Sequence, residues 1–158
     1  MNNKKYRILD LFCGAGGFSF GLDSLNEFET KIGLDFDKNA IKTFERMFPE
    51  AEAICGDITS DKLKNYIIEK SKNLKINMII GGPPCQGFSL KGKNLGIRDD
   101  RNFLFREYAY IVEKVNPEIF VIENVKNMIS SGNGYFINEI KNLFKNMGYD
   151  IDYAVLNS

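Results

Sequence analysis

Residues 76–80 form a β-branched, apolar run that ends abruptly at Gly81-Gly82-Pro83-Pro84. A short run of this kind closed by turn residues reads as a strand buried on both faces. The first side chain beyond the stop with any chemistry to offer is Cys85. In an open parallel sheet, ligands collect outside the carboxyl ends of the strands. A thiol placed just past such an end, with two rigid prolines before it, stands where a nucleophile belongs. It is equally placed to be one more small buried hydrophobe, the usual fate of a free cysteine.

The rest of the chain repeats the pattern of strand, stop and helix. Residues 6–12 read as a first strand, followed by the tight turn Cys13-Gly-Ala-Gly-Gly17 and a helix over 18–25. Gly14 and Gly16 fit the first two positions of the dinucleotide fingerprint G-x-G-x-x-G, but Ser19 stands at the third. Residues 30–35 give a second strand ending in Asp35, about 20 residues beyond the glycines, where a carboxylate that grips ribose hydroxyls belongs. Phe36 beside it suits either core packing or a flat surface for an adenine ring. Asp37 reads as an N-cap, and Ala40, Ile41, Phe44, Met47 and Phe48 make one apolar helical face.

A short third strand over 51–55 is closed by Gly56-Asp57-Ile58-Thr59. Ser60 or Asp61 can cap the helix over 62–70, which leaves Asp57 free to face a ligand. Asp57 is the third strand-end acid after Asp10 and Asp35. Beyond the fourth strand, residues 86–101 show no period and are locally positive, with Lys91, Lys93, Arg98 and Arg101. Loops of that length are commonly functional. A helix over 102–115, with Leu104, Tyr108, Ile111, Val112 and Val115 on one face, is broken by Asn116-Pro117. A fifth strand over 118–122 ends in Glu123, a carboxylate costly to desolvate unless it has partners or a task. A helix over 134–147 and a sixth strand over 151–156 complete the series.

This alternation predicts a single α/β domain over residues 1–158, a doubly wound, Rossmann-like parallel sheet with right-handed crossovers. Composition narrows its use. Hydrophobic and charged fractions of 44% and 27% are those of an ordinary soluble protein, and no apolar run is long enough to span a bilayer. Three unevenly spaced cysteines argue for a reducing, cytoplasmic setting. With no histidine, a histidine-based triad or metal site is excluded, and the cysteines lack the close pairing of a zinc site. Net charge is zero, whereas a free-standing DNA binder is usually basic. A nucleic-acid substrate is therefore not expected to be held by this chain alone.

Taken together, the motifs resemble one family, the cytosine-C5 DNA methyltransferases. Asp10-Leu-Phe-Cys-Gly-Ala-Gly-Gly-Phe-Ser19 is similar to its first motif and Gly56-Asp57-Ile58-Thr59 to its third. Gly82-Pro-Pro-Cys-Gln-Gly-Phe-Ser89 is similar to its catalytic motif and Glu123-Asn124-Val125 to its glutamate motif. The order and separations match over essentially the whole chain.

The resemblance implies S-adenosyl-L-methionine as cofactor. Phe12, Gly14, Gly16 and Gly17 would line its methionine and ribose portion, with Pro84 also at the cofactor. Asp35 would bind the ribose hydroxyls, Phe36 would stack on adenine, and Asp57 and Ile58 would contact the adenine amino group and ring. The resemblance also implies Cys85 as nucleophile and Glu123 as the acid at the pyrimidine N3. DNA carrying a flipped cytosine is the implied substrate, approached by Gln86, Ser89, Lys91, Lys93, Arg101 and Asn124.

Members of the family continue with a Gln-x-Arg-x-Arg motif, a target-recognition domain and a C-terminal helix, none of which follows Leu156-Asn157-Ser158. The fold is thus expected to stop after its sixth strand, either as a shortened chain or as one half of a split enzyme completed by a second polypeptide. A related tRNA cytosine methyltransferase, a non-catalytic regulatory or scaffold subunit, and a dinucleotide oxidoreductase remain as other readings. The last leaves Pro83-Pro84-Cys85-Gln86 unexplained.

Overall fold

The computed structural model describes residues 5–84, 103–126, 128 and 135–156. Among them strands and helices alternate along the chain. The strands are β1 (Tyr6–Leu11), β2 (Phe28–Asp35), β3 (Glu52–Cys55), β4 (Met78–Gly81) and β5 (Ile119–Ile122). The helices are α1 (Gly17–Asp23), α2 (Lys38–Met47), α3 (Asp61–Asn73), α4 (Phe103–Val115) and α5 (Tyr135–Asn146).

All four strand pairings are parallel, in the order β3-β2-β1-β4-β5. The chain winds outward from β1 to β3, then returns to the other side of β1 for β4 and β5. That reversal makes the gap beyond the carboxyl ends of β1 and β4 the topological switch point, the preferred ligand position in such sheets. Asp37 caps α2 by accepting from the backbone N–H groups of Asn39 and Ala40, and the Ser60 hydroxyl accepts from Leu63 at the start of α3.

The chain divides into two compact units, Met1–Pro83 with Tyr110–Glu123, and Pro84–Ala109 with Asn124–Ser158. In the first unit, one face of the sheet carries Ile8, Met78 and Ile80, packed by Phe18 and Leu22 of α1. Ile41, Phe44 and Phe48 close over Cys13, with Ala51 and Ala53 beside them. Met47 is 41% exposed, although the periodicity suggests an inward position. At 100° per residue it lies on the flank of the stripe that Ile41, Phe44 and Phe48 define. In the second unit Phe105 meets Phe144 edge-on, with ring centroids 6.1 Å apart, and Tyr108, Ile137 and Ile140 are buried.

Residues 151–156 form no strand. Their alternation of Ile151, Tyr153 and Val155 satisfies only half of what a strand requires, since a strand exists through its ladder. Among the described residues none pairs with them, and Leu156 is 87% exposed.

The sheet also depends on one missing side chain. A Cβ on Gly33 of β2 would lie 2.3–2.7 Å from three atoms of the Phe44 ring. That ring is fully buried, so it cannot swing aside. Gly33→Ala should therefore destabilise the protein by about 1–3 kcal/mol through overpacking. An unchanged denaturant midpoint would show that α2 can retreat at no cost.

Candidate functional site

The turn after β1 is held by neighbours on two sides. Its backbone is unusual: Phe12 has φ 61°, Gly14 54° and Gly16 92°. A left-handed phenylalanine is strained, and such strain persists only where the surroundings over-determine it. Here the Cys13 N–H donates to the Leu34 carbonyl at 3.0 Å, and the Gly14 N–H donates to Asp35 Oδ2 at 2.8 Å. The Asp35 Oδ1 accepts from the Asp37 N–H at 2.8 Å. Asp35 therefore braces the turn as well as ending β2. Each of its oxygens keeps a lone pair for a further donor.

The three glycines assigned to the turn do different work. Gly14 and Gly17 face open space, with nothing within 4 Å of an added Cβ. At Gly16 a Cβ would fall 2.5 Å from the Phe48 ring and 2.9 Å from that of Phe44. Gly16 is thus required by the fold beneath the turn, and only its main chain is available to a ligand.

Phe36, at the tip of β2, is 77% exposed. Core packing is thereby ruled out for it. At the tip of β3, Asp57 is exposed and its Oδ1 accepts from the N–H and hydroxyl of Thr59. Those two bonds hold its carboxyl below the usual carboxylate range. Ser60 caps α3, so Asp57 is not consumed as the cap. Ile58 is only 5% exposed, which leaves its backbone rather than its side chain at the edge.

At the tips of β4 and β5, the Glu123 N–H donates to the Gly81 carbonyl at 3.0 Å. Its exposed carboxylate folds back over Gly82, where Oε2 would lie 3.2 Å from an added Cβ. A side chain at position 82 would push this carboxylate away from the sheet edge. Pro83-Pro84 is thus preceded by a glycine whose emptiness the glutamate uses.

Asp10, the first of the strand-end acids, has surroundings that the sequence does not disclose. Asp10 is 1% exposed, and its Oδ2 accepts from the hydroxyl of Ser19, itself fully buried, at 2.6 Å. Burial pushes its carboxyl up to about 7, with Asp35 and Asp23 adding to the rise and Ser19 opposing it. The available signal was Ser19 itself, at the place where the fingerprint has its third glycine for close helix–strand packing. Cys13 is buried, and its thiol is driven far above the ordinary range, so it is no nucleophile.

Phe12, Gly14, Gly16, Gly17, Asp35, Phe36, Asp57, Ile58 and Glu123 thus all belong to the first unit and lie at the carboxyl edge of its sheet. Pro84, exposed, and Asn124, whose side chain accepts from the Val125 N–H, belong to the second unit. Cys85, Gln86, Ser89, Lys91, Lys93 and Arg101 lie outside the described residues. No described helix is long and apolar enough to cross a membrane, and no three metal-ligating side chains cluster among the described residues.

Comparison with known proteins follows the same lines. The profile of the C-5 cytosine-specific DNA methylases matches residues 6–158. The type II methyltransferase M1.HphI of Haemophilus parahaemolyticus is 36% identical over 95% of this chain and 40% of its own length. M.AquIA of Picosynechococcus is 36% identical over 96% of this chain and 64% of its own length. The chain thus spans less than two thirds of either relative. Among solved structures, a DNA modification methyltransferase encoded within an E. coli prophage superposes with a TM-score of 0.70 at 30% identity, covering 90% of this chain and 38% of that one. S. pombe Dnmt2, at 22% identity and a TM-score of 0.67 over 93% of this chain and 42% of its own, shares the fold.

Proposed function

This chain belongs to the C-5 cytosine-specific DNA methylase family, and from that premise we propose that it forms the cofactor-binding and nucleophile-bearing part of an enzyme that methylates carbon 5 of cytosine in DNA. The observation that carries this reading is the Glu123 carboxylate folded over Gly82, at the tips of adjacent strands and three residues before Cys85.

The sheet edge fits S-adenosylmethionine. Gly14 and Gly17 leave room for a ligand against the backbone, Phe36 offers an exposed aromatic face, and Asp35 has acceptor capacity to spare. In this reading Phe12 and the backbone of Gly14, Gly16 and Gly17 line the methionine and ribose portion. Asp35 accepts from the ribose hydroxyls, and Phe36 stacks on adenine. Asp57 and the main chain of Ile58 meet the adenine edge, and Pro84 is assigned to the cofactor by its motif. When bound, the cofactor supplies an electrophilic methyl group.

The remaining chemistry falls to side chains. Carbon 5 of cytosine is a weak nucleophile while the ring is aromatic. The Cys85 thiolate bonds to carbon 6, breaking the aromaticity and moving electron density toward carbon 5. Glu123 donates a proton or hydrogen bond to N3, where negative charge would otherwise accumulate. After methylation, a solvent water or hydroxide takes the C5 proton, and the electron pair left behind expels the Cys85 sulfur as thiolate and restores the ring. Carbon 6 is out of reach within a duplex, so the base must be flipped out. Gln86, Ser89, Lys91, Lys93, Arg101 and Asn124 are assigned to the DNA side. Reading the target sequence falls to polypeptide beyond these 158 residues, continuous with this chain or separate from it.

The test is trapping by 5-fluorocytosine DNA, whose C5 fluorine blocks the elimination. With S-adenosylmethionine, the complete enzyme should form a covalent complex that survives denaturant, and calorimetry should show binding of S-adenosylhomocysteine but not of NAD. A complete enzyme that binds NAD alone and traps no DNA would overturn the reading in favour of an oxidoreductase.

A further inference from the structure

We propose that Asp10 is a positioning residue for the turn over residues 12–17, and that its proton occupancy sets how strongly the site prefers the sulfonium methyl donor to its thioether product. The proposal rests on the cofactor reading above and concerns a group to which the methylation chemistry assigns no role.

Two carboxylates hold the turn. Asp35 takes the Gly14 N–H, tying the turn to the end of β2, and Asp10 takes the Ser19 hydroxyl, tying β1 to α1. Ser19 is fully buried, so this link has no water to replace it. Asp10 stands two residues before Phe12 and Ser19 two residues after Gly17, so their bond ties together the two ends of the segment assigned to the cofactor.

Its surroundings determine how it titrates. From β4 its register partner is Ile80, and from β2 it is Gly33, neither of which carries charge. From α1 it faces Ser19 and Asp23, from β2 Asp35, and next along the chain Cys13, whose thiol stays neutral. Among the described residues the two charges that bear on Asp10 are thus both negative, and burial adds to them, so that it changes charge near neutral pH.

The two ligands differ by one charge, the sulfonium of the donor against the neutral sulfur of the product. A buried carboxylate tied into the turn's two ends attracts the first and is indifferent to the second. Ionisation of Asp10 is then expected to shift the ratio of the two affinities toward the donor by about threefold to tenfold.

The experiment measures dissociation constants of S-adenosylmethionine and S-adenosylhomocysteine by calorimetry on the complete enzyme, at about pH 6 and about pH 8.5, on either side of the Asp10 transition. Asp10→Asn keeps a hydrogen bond to Ser19 but cannot ionise, and any titration of the ligands themselves cancels between the two proteins. The preference for the donor should rise with pH threefold to tenfold more in the wild type than in Asp10→Asn. Ser19→Ala should weaken both ligands alike and keep the pH-dependent rise. Carbon-13 spectra of labelled aspartate should show a carboxyl midpoint near neutrality that vanishes in Asp10→Asn. An equal rise in both proteins, or no such midpoint, overturns the proposal while leaving the cofactor reading intact. Failure of the wild type to bind either ligand overturns the cofactor reading and the proposal with it.

Discussion

Cys85→Ser is expected to leave no covalent complex with 5-fluorocytosine DNA, and Glu123→Gln to slow methyl transfer about 10²–10⁴-fold. The two effects have different origins. A thiol with a pKa of ~8.5 supplies a small thiolate fraction at neutral pH, and the thiolate is intrinsically a strong nucleophile. A serine hydroxyl supplies neither, so the bond to carbon 6 does not form. Glu123→Gln keeps the size and reach of the side chain, and the space over Gly82 still receives it. What it loses is the proton for N3, which acts only as charge develops during addition. The loss should therefore fall on the rate, with affinity for S-adenosylhomocysteine changed by no more than about twofold, since that ligand gains nothing from N3. Single-turnover measurement of labelled methyl transfer separates these. Undiminished transfer by the glutamine variant would mean that the carboxylate over Gly82 belongs to the frame of the sheet edge and not to the reaction.

What could be read from the residues, and what could not, follows from which forces are local. The strand ends were legible because an apolar run that stops at Gly81-Gly82 or at Asp35 marks a transition from buried to exposed backbone. Asp37 was legible as a cap because a side-chain acceptor beside free helical N–H groups is a local solution. Asp35, Asp57 and Glu123 share one edge because every described strand is parallel, which sends the carboxyl ends to one side. Phe36 could not be decided from sequence, since an aromatic beside a strand end suits core and ligand equally; its exposure removes the first of these. The left-handed Phe12 and the bond from the Gly14 N–H to Asp35 depend on strands distant in sequence. Gly16 resembled a ligand glycine because a fingerprint cannot tell open space from a packed Phe48. Residues 151–156 carry the alternation of a strand, but a pattern of side chains does not supply a neighbouring backbone.

Asp10→Asn should make the protein more stable than the wild type above pH 7, by up to about 4 kcal/mol, with little difference near pH 4. The sign follows from the direction of the shift. The carboxyl is raised from 3.8 to about 7 in the folded state. Between those values the folded chain holds a proton that the unfolded chain has released. Stability from the neutral form is therefore fully present below about pH 4, declines as pH rises, and is lost once pH passes about 7. A gap of about 3 pH units at 1.36 kcal/mol each sets the upper bound. Asparagine removes the titration while keeping an acceptor for the Ser19 hydroxyl, so the variant should lack this decline. Urea midpoints at about pH 5 and pH 8.5 would reveal it as curves that diverge with pH. Parallel curves would mean that Asp10 carries its charge without penalty, and its burial beside Asp35 and Asp23 would then require a compensating cation. The same desolvation that costs stability at high pH is what makes the group sensitive to charge arriving above the turn. A carboxyl fully exposed to water would give neither effect.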